Sequence, residues 1–522
     1  MNISIFDSTL RDGAQAEGIS FSVNDKLEIV RALDGLGVHY IEAGNPASNP
    51  KELEFFRRAE ELTLGGAKLC AFGSTRRKGI AAQQDANCAA LLEANTAAVS
   101  VFGKSSLLHV AEILKTTPEE NLAMIEDSCR FFAGHGRETV FDAEHFFDGY
   151  ALDPAYALAS LEAAARGGAE VLCLCDTNGG TFPWTVEEVT RTVCGRFPGL
   201  CVGIHAHNDS DTATAASLAA VRAGARQVQG TLLGFGERAG NASLCGIIPN
   251  LQLKLGYACL APEQMEQLTS VALHVASIAN VTVRRNTPFV GESAFAHKAG
   301  MHADGVLKNS ASFEQIDPAA VGNRRRFLVS EFAGKAAVLR RVQKLYPAVG
   351  AQSPAVAQIV AALKEKEFQG YSYEGADASF DLLIRKAIEE PPSYFDLVSY
   401  KVLDELSRDN ERNATATLKL CVRDEMKITA AEGEGPVHAL DVALRKALTD
   451  FYPVLRTVRL LDYKVRIMES TAGTGTKVRV LITSGDSETQ WTTVGVSTDI
   501  IEATWEALVD AIVYKLLENE GG

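Results

Sequence analysis

No run of apolar residues in this 522-residue chain is long enough to span a bilayer, and its N-terminus lacks the charged segment and apolar stretch of a secretory leader. A membrane protein or an exported one is therefore not expected. Paired-cysteine chemistry is missing too: ten cysteines are scattered without a single CxxC, as in a reduced cytoplasmic protein rather than a disulfide scaffold. Positive charge is in short supply. Against 66 Asp and Glu stand 51 Lys and Arg, and the net charge of -15 argues against a nucleic-acid footprint or adhesion to anionic lipid. What the chain does have is core material: 46% hydrophobic and 22% charged residues at this length predict a soluble globular protein of more than one domain.

The first half repeats one unit. Strand-like runs at 2–6, 38–43, 68–72, 97–102, 139–143, 171–175, 202–205 and 227–233 alternate with amphipathic helical stretches such as 24–36 and 154–166. Eight strands, each followed by a helix, predict an α/β fold of the (β/α)8 TIM-barrel type. Active sites of such barrels lie at the carboxyl ends of the strands. Chemically capable residues gather there: Asp7, Arg11 and Asp12 after the first strand, Glu42 after the second, Asp142 and Glu144 at the fifth, Asp176 and Thr177 at the sixth. His205 and His207 end the seventh, and Glu237, Arg238 and Asn241 follow the eighth.

Within that set, VGIHAHNDS (202–210) stands out. Residues i and i+2 of a strand project to one face, so His205 and His207 can close on one metal ion. Asp12 can add a carboxylate, giving a donor set that suits Zn, Mn, Fe or Co and leaves positions open for substrate. Arg11 cannot lose its proton and can neutralise a developing oxyanion. The plainer readings are two packed neutral histidines and an Arg-Asp surface turn. The Gly-rich GFGERAG fits no dinucleotide fingerprint, and a tight strand-to-helix turn accounts for it. Cys173 and Cys175 alternate along one strand and read as packing residues.

STLRDGAQ, IEAGNP, CDTNGG, HAHND and GERAGNASL, in this order, resemble the Claisen-condensing 2-isopropylmalate, citramalate and homocitrate synthases and the related 3-hydroxy-3-methylglutaryl-CoA lyases. The resemblance implies that Asp12, His205, His207 and Asn241 hold a divalent metal (Mn, Mg, Zn or Co), that Arg11 and Glu144 are catalytic, and that Thr177 holds a substrate carboxylate. The segment PFVGESAFAHKAGMHADGVLKN (288–309) is similar to the part of the synthases that reaches over a barrel mouth, often the partner subunit's; His302, with Asp304, would serve acid-base chemistry there. Since a lyase of this group ends soon after its barrel, this segment and the further domain beyond it favour a synthase.

Helices are expected at 332–346 and 355–368, and Pro391-Pro392 marks a linker. Beyond it lies a repeat. Strands at 414–422 and 425–430 lead to a helix at 437–448, and strands at 477–483 and 490–496 lead to a helix at 500–517. Pro436 suits a first helical position, and Ser497, Thr498 or Asp499 can cap the last helix. The expected organisation is a catalytic barrel (1–275), helical linker subdomains covering the active site (276–390) and a C-terminal α+β regulatory domain (391–522). The last resembles the allosteric end-product domain of the family, which implies a homodimer or larger homo-oligomer and an amino-acid effector, isoleucine or leucine.

The chemistry so implied is condensation of acetyl-CoA with a 2-oxo acid. Homocitrate-forming relatives carry an arginine four residues before the strand-five glutamate; this chain has Val140, so a dicarboxylic substrate is not expected. FDAEHFFDGY, FGSTRR and VGNRRRFLVSE look closest to the citramalate-forming branch, implying pyruvate, water and a place in isoleucine synthesis. Two residues depart from it: Asp142 lines the pocket where relatives have an aromatic or hydroxyl residue, and Phe313 stands near a usual tyrosine. The 2-isopropylmalate branch, with 2-oxoisovalerate, is the alternative. A hydroxyacyl-CoA lyase, a non-haem iron oxygenase and an amino-acid sensor are the other classes compatible with parts of the sequence.

Overall fold

The computed structural model describes residues 2–298, 300–327, 335–350, 352–373, 375–389, 392–406, 412–468, 476–486 and 489–520. The linker boundary at Glu390 and Pro391, the last four residues of VGNRRRFLVSE and residues 332–334 of an expected helix lie outside the described residues.

Eight parallel strands close in sequence order into a barrel: β1 (Ser4–Asp7), β2 (Tyr40–Gly44), β3 (Lys68–Ser74), β4 (Ala98–Lys104), β5 (Glu138–Glu144), β6 (Val171–Asp176), β7 (Cys201–Ala206) and β8 (Gln227–Gly230). The closing pair sets Ser4 against Gln227 and Asp7 against Gly230. Strand β6, VLCLCD, is buried along its whole length, as expected of a parallel strand covered on both faces. The helices start where short polar side chains can cap them. Ser22 accepts from Asp25 N in a reciprocal capping box before Val23–Leu36, and Asp153 caps Pro154–Arg166 with proline at its first position.

Strand β8 is shorter than its apolar run predicts. After Gly230 the backbone leaves the barrel in a 3-10 turn, Leu232–Gly234, with Leu233 at φ 62°. Thr231 then bridges to Ser243, which folds the Gly-rich loop back over the strand end.

The strand period builds the barrel interior in layers. One cluster, including Phe6, Tyr40, Cys70, Val140, Val171, Cys173 and Cys175, fills the interior, with the Phe6 and Tyr40 rings stacked at 5.6 Å. Two residues further along several strands the inward positions turn polar: Val140 gives way to Asp142 and Glu144, and Gly203 to His205 and His207. A larger apolar core lies between barrel and helices, with Ile29, Leu33, Phe55, Phe132, Leu161 and Val193 all buried.

The chain divides into two compact units, residues 1–295 with 315–325 and residues 296–314 with 326–522. In the second, helices Lys335–Leu345, Pro354–Phe368 and Asp377–Ile388 precede the repeat. Each half of the repeat has three antiparallel strands and a helix, one strand more than the hydrophobic runs suggest. The additional strands, Asp396–Leu406 and Arg459–Ile467, are sheet edges whose charged residues obscure the apolar alternation. Pro436 opens its helix, and Asp499 caps the last one, its Oδ1 accepting from Ile501 N at 2.7 Å. Phe380 and Ile384 of Asp377–Ile388 pack in one cluster with Val494 and Val496 of the second sheet. No helix among the described residues is long and apolar enough to cross a membrane.

Candidate active site

A cavity of about 260 Å³ opens at the carboxyl ends of the strands, lined by Arg11, Asp12, Asp142, Glu144, Thr177, His205 and His207 among others. Asp12 is at its centre. Its Oδ2 accepts from Arg11 Nη1 at 2.8 Å and lies 3.5 Å from His205 Nε2 and 3.8 Å from His207 Nε2, while its Oδ1 accepts from Asn241 Nδ2 at 2.8 Å. One donor atom from each of Asp12, His205 and His207 falls within 4.8 Å of the others.

Burial raises the cost of charge on Asp12, but Arg11 and the two imidazoles outweigh it and hold the carboxyl well below its usual range. Burial pushes His205 down to about 3 and lowers His207 as well, against the pull of Asp12. An ionised carboxylate beside neutral imidazoles is the protonation state that a divalent cation requires. Two buried atoms here have no hydrogen-bond partner, Asn241 Oδ1 and His207 Nδ1. Asp12 Oδ2 with His205 Nε2 and His207 Nε2 facing it fits a divalent cation, whereas Asn241 presents its Nδ2 to the carboxylate.

The fourth group owes its position to the glycine loop. A backbone bridge joins His207 to Asn241, and Asn241 Nδ2 also donates to Phe235 O at 3.1 Å. Gly236 sits at φ 155°, and a Cβ there would come within 2.1 Å of Asn241 Nδ2. Close approach thus explains the glycine, as the tight-turn reading holds.

Arg11 is clamped. Its Nε donates to Glu42 Oε2 at 2.7 Å, and the guanidinium lies 3.8 Å from the centre of the Phe72 ring. Burial disfavours its charge, but Glu42, Asp12 and Asp142 more than restore it. Glu42, fully buried, also accepts from Ser8 Oγ at 2.5 Å, and burial pushes its carboxyl up to about 7 despite Arg11. Glu144 is ion-paired with Lys104 at the end of β4. Thr177 Oγ1 accepts from His145 N at 2.9 Å, which leaves its own proton free to be donated. Asp142 lines the same cavity, yet both its oxygens are engaged, by Ser100 Oγ at 2.6 Å and Gln229 Nε2 at 2.9 Å.

His302 and Asp304 lie in the second unit, on helix Gly300–Lys308. The His302 ring stacks on Phe313 at 4.3 Å, and Asp304 accepts from Lys308 Nζ at 2.6 Å. Residues two apart do not share a helix face, so their HxD spacing does not pair them as it would on a strand.

Sequence reading passed over Ser8, Phe72, Ser100, Phe102, Lys104 and Gln229. The signal for Gln229 was present: Gln227 and Gln229 alternate along a barrel strand, where inward glutamines need partners. Gln229 Oε1 lies 3.1 Å from His205 Nδ1 while its Nε2 donates to Asp142. Because a carboxylate only accepts, Asp142 fixes the amide with its oxygen toward His205. That holds the proton on Nδ1 and leaves Nε2 free for the metal. Gln229→Leu is expected to weaken metal affinity by about 10- to 100-fold, measured by metal-ion titration with circular dichroism confirming the fold. Unchanged affinity would remove Gln229 from this role.

Comparison with known proteins covers nearly the whole chain. The HMGL-like family model matches residues 2–275, the homocitrate synthase post-HMGL domain-like model 289–370, and the LeuA allosteric (dimerisation) domain model 374–516. An (R)-citramalate synthase of Aquifex aeolicus is 50% identical over 519 residues, 99% of this chain and 98% of that one. One from Synechocystis sp. is 49% identical, covering 98% and 96%. A 2-isopropylmalate synthase of Rhodopirellula baltica is 32% identical, covering 98% and 94%.

Proposed function

The chain belongs to the (R)-citramalate synthase family of HMGL-like enzymes, and from that premise we propose that it condenses acetyl-CoA with pyruvate and water to give (R)-citramalate and CoA. It is an acyltransferase whose acyl group becomes an alkyl group on transfer. The observation that favours pyruvate over the branched 2-oxoisovalerate is the aromatic wall of the cavity: Phe72 and Phe102 stack at 5.1 Å beside Arg11. Two stacked rings narrow the cavity on that side, which favours the smaller side chain of pyruvate.

Asp12, His205 and His207, with Asn241 beside them, would hold a divalent cation, which when bound would supply Lewis-acid polarisation of the 2-oxo acid. Thr177 donates its hydroxyl proton to the substrate carboxylate. His302 is the proposed base for the acetyl methyl proton; Asp304, paired with Lys308, acts on it at most indirectly. The enolate carbon forms the new bond to the 2-oxo carbon. Arg11, held flat by Glu42, Asp12 and Phe72, stabilises the alkoxide. Glu144, anchored by Lys104, orients the reactants or passes a proton. Water then cleaves the thioester, freeing CoA and making the condensation effectively one-way.

The allosteric (dimerisation) domain match supports a regulated homo-oligomer; isoleucine is the effector this reaction predicts, with leucine as the alternative. Thiol release from acetyl-CoA, measured with pyruvate, 2-oxobutyrate and 2-oxoisovalerate, tests the assignment, and a preference for 2-oxoisovalerate overturns it. The wall is tested by Phe102→Ala. The kcat/KM ratio of pyruvate to 2-oxoisovalerate is expected to fall by about tenfold or more, since removing the ring frees more than the one-carbon difference that an apolar pocket discriminates by about tenfold. An unchanged ratio would remove Phe102 from substrate choice.

A further inference from the structure

Strand β6 reads VLCLCD, and its two cysteines project to the barrel interior with Phe6, Tyr40 and Val140. Register places each beside a group of the active site: Cys173 stands opposite Asp142 of β5, and Cys175 opposite His205 of β7. One ligand atom from each of Asp142, Cys173 and Cys175 falls within 4.8 Å of the others, and all three residues are buried. Apolar packing alone does not call for a carboxylate against two thiols.

On the other side of Cys173, strand β7 carries Gly203. A Cβ there would stand 3.3 Å from Cys173 Cβ and 3.3 Å from Gln227 Oε1, so the glycine keeps open a position that the cysteine and the amide share. Gln227 is 1% exposed, and its Oε1 has no hydrogen-bond partner. Cys175 lines the catalytic cavity, which gives a small ion a way in.

These donors differ in kind from those around Asp12. Two sulfurs select zinc and other thiophilic cations, whereas Asp12, His205 and His207 also suit harder ions. Burial holds the Cys173 thiol well above its usual range. Cys173 pulls Cys175 down, but burial, Asp142 and Glu144 leave it pushed up to about 11. Thiols that hold their protons this firmly yield them to a cation that bonds sulfur strongly, and not to magnesium or manganese. A tetrahedral zinc with Zn–S bonds of about 2.3 Å spans about 3.8 Å between sulfurs, so side-chain shifts of about 1 Å close the set.

We propose that Asp142, Cys173 and Cys175 form a second cation site, selective for thiophilic divalent ions such as zinc and cadmium, whose occupation inhibits the enzyme. On binding, each thiol forms a sulfur–metal bond and releases its proton to solvent, so two protons leave for one divalent cation and the net charge of the layer is unchanged. Asp142 contributes an oxygen through a remaining lone pair. Inhibition follows because Asp142 fixes the Gln229 amide that orients His205, and a carboxylate drawn toward the cation loosens that chain. The inhibitory effect rests on the condensation reading; the binding does not.

The probe is Cd2+, titrated into the full-length protein already saturated with Mg2+. Sulfur-to-cadmium charge transfer in the ultraviolet reports thiolate binding alone, and the Asp12 site, which has no sulfur, is silent in it. The wild type is expected to take up one equivalent with this absorption and to lose pyruvate consumption over the same range of Cd2+. Cys173→Ala and Cys175→Ala, each checked for fold by circular dichroism, should lose the absorption. Cys421→Ala, which removes a half-buried thiol elsewhere, should keep it. In Cys173→Ala the Cd2+ concentration for half-inhibition is expected to rise about tenfold or more, with activity before Cd2+ at the wild-type level. Absorption that persists at wild-type strength in either β6 variant, absorption that vanishes with Cys421, or an unchanged half-inhibition in Cys173→Ala overturns the proposal. Absorption that behaves as expected in a protein that consumes no 2-oxo acid counts against the condensation reading and leaves the cation site in place.

Discussion

His207→Ala is expected to purify as a folded protein that no longer retains stoichiometric metal after dialysis, with turnover reduced by more than about 100-fold. Loss of an outer partner of a metal ligand already costs on the order of 10- to 100-fold, and a ligand should cost more. The fold should survive because His207 follows the end of β7, where its imidazole faces Asp12 rather than the apolar clusters. Removing it also leaves the backbone bridge to Asn241 intact. Metal analysis, circular dichroism and thiol release together check this. Full turnover with bound metal would show that His207 is a packed neutral histidine.

Arg11→Lys carries the second large effect, a fall in kcat of about 10²- to 10³-fold, the range seen when an oxyanion donor is lost, with a smaller change in the KM for pyruvate. Charge is preserved in this substitution and geometry is not. An ammonium cannot donate at once to Glu42 and Asp12 and also lie flat on Phe72, as the guanidinium does. It would also leave the buried Glu42 relying on Ser8 alone. Metal content should remain near that of the wild type, which separates this variant from His207→Ala. Undiminished turnover would make Arg11 a structural residue.

How far the site can be read from the sequence depends on the information that strand geometry transmits. The period of two places His205 and His207 on one face from sequence alone, and the rule that barrel chemistry sits at strand ends gathers Asp12, Glu144 and Thr177 around them. Which side chains stand opposite one another across the barrel depends on closure and stagger, which leave no local mark. Gln229 meets Asp142 over 87 positions, and Arg11 meets Glu42 over 31. The same limit hid the aromatic pair Phe72 and Phe102, each an ordinary apolar residue of its own strand. It also hid Asp396–Leu406 and Arg459–Ile467, edge strands whose charged side chains break the apolar alternation. For His302 and Asp304 the difficulty was the element: the same spacing means one face on a strand and two faces on a helix.

The amide of Gln229 couples two positions on different strands. Its direction is set by a carboxylate on β5, and a histidine on β7 depends on that direction, so substitutions at 142 and 229 are expected to be energetically coupled. Exchanging Asp142 for a side chain that donates frees the amide to turn over and present its NH2 to His205. Placing a carboxylate at 229 with Asp142 retained sets two acids face to face in a buried layer. Each single change is expected to cost metal affinity that the right pair of changes restores, the non-additivity that contacting residues show. A library that reshapes this pocket for another 2-oxo acid should therefore vary both positions together.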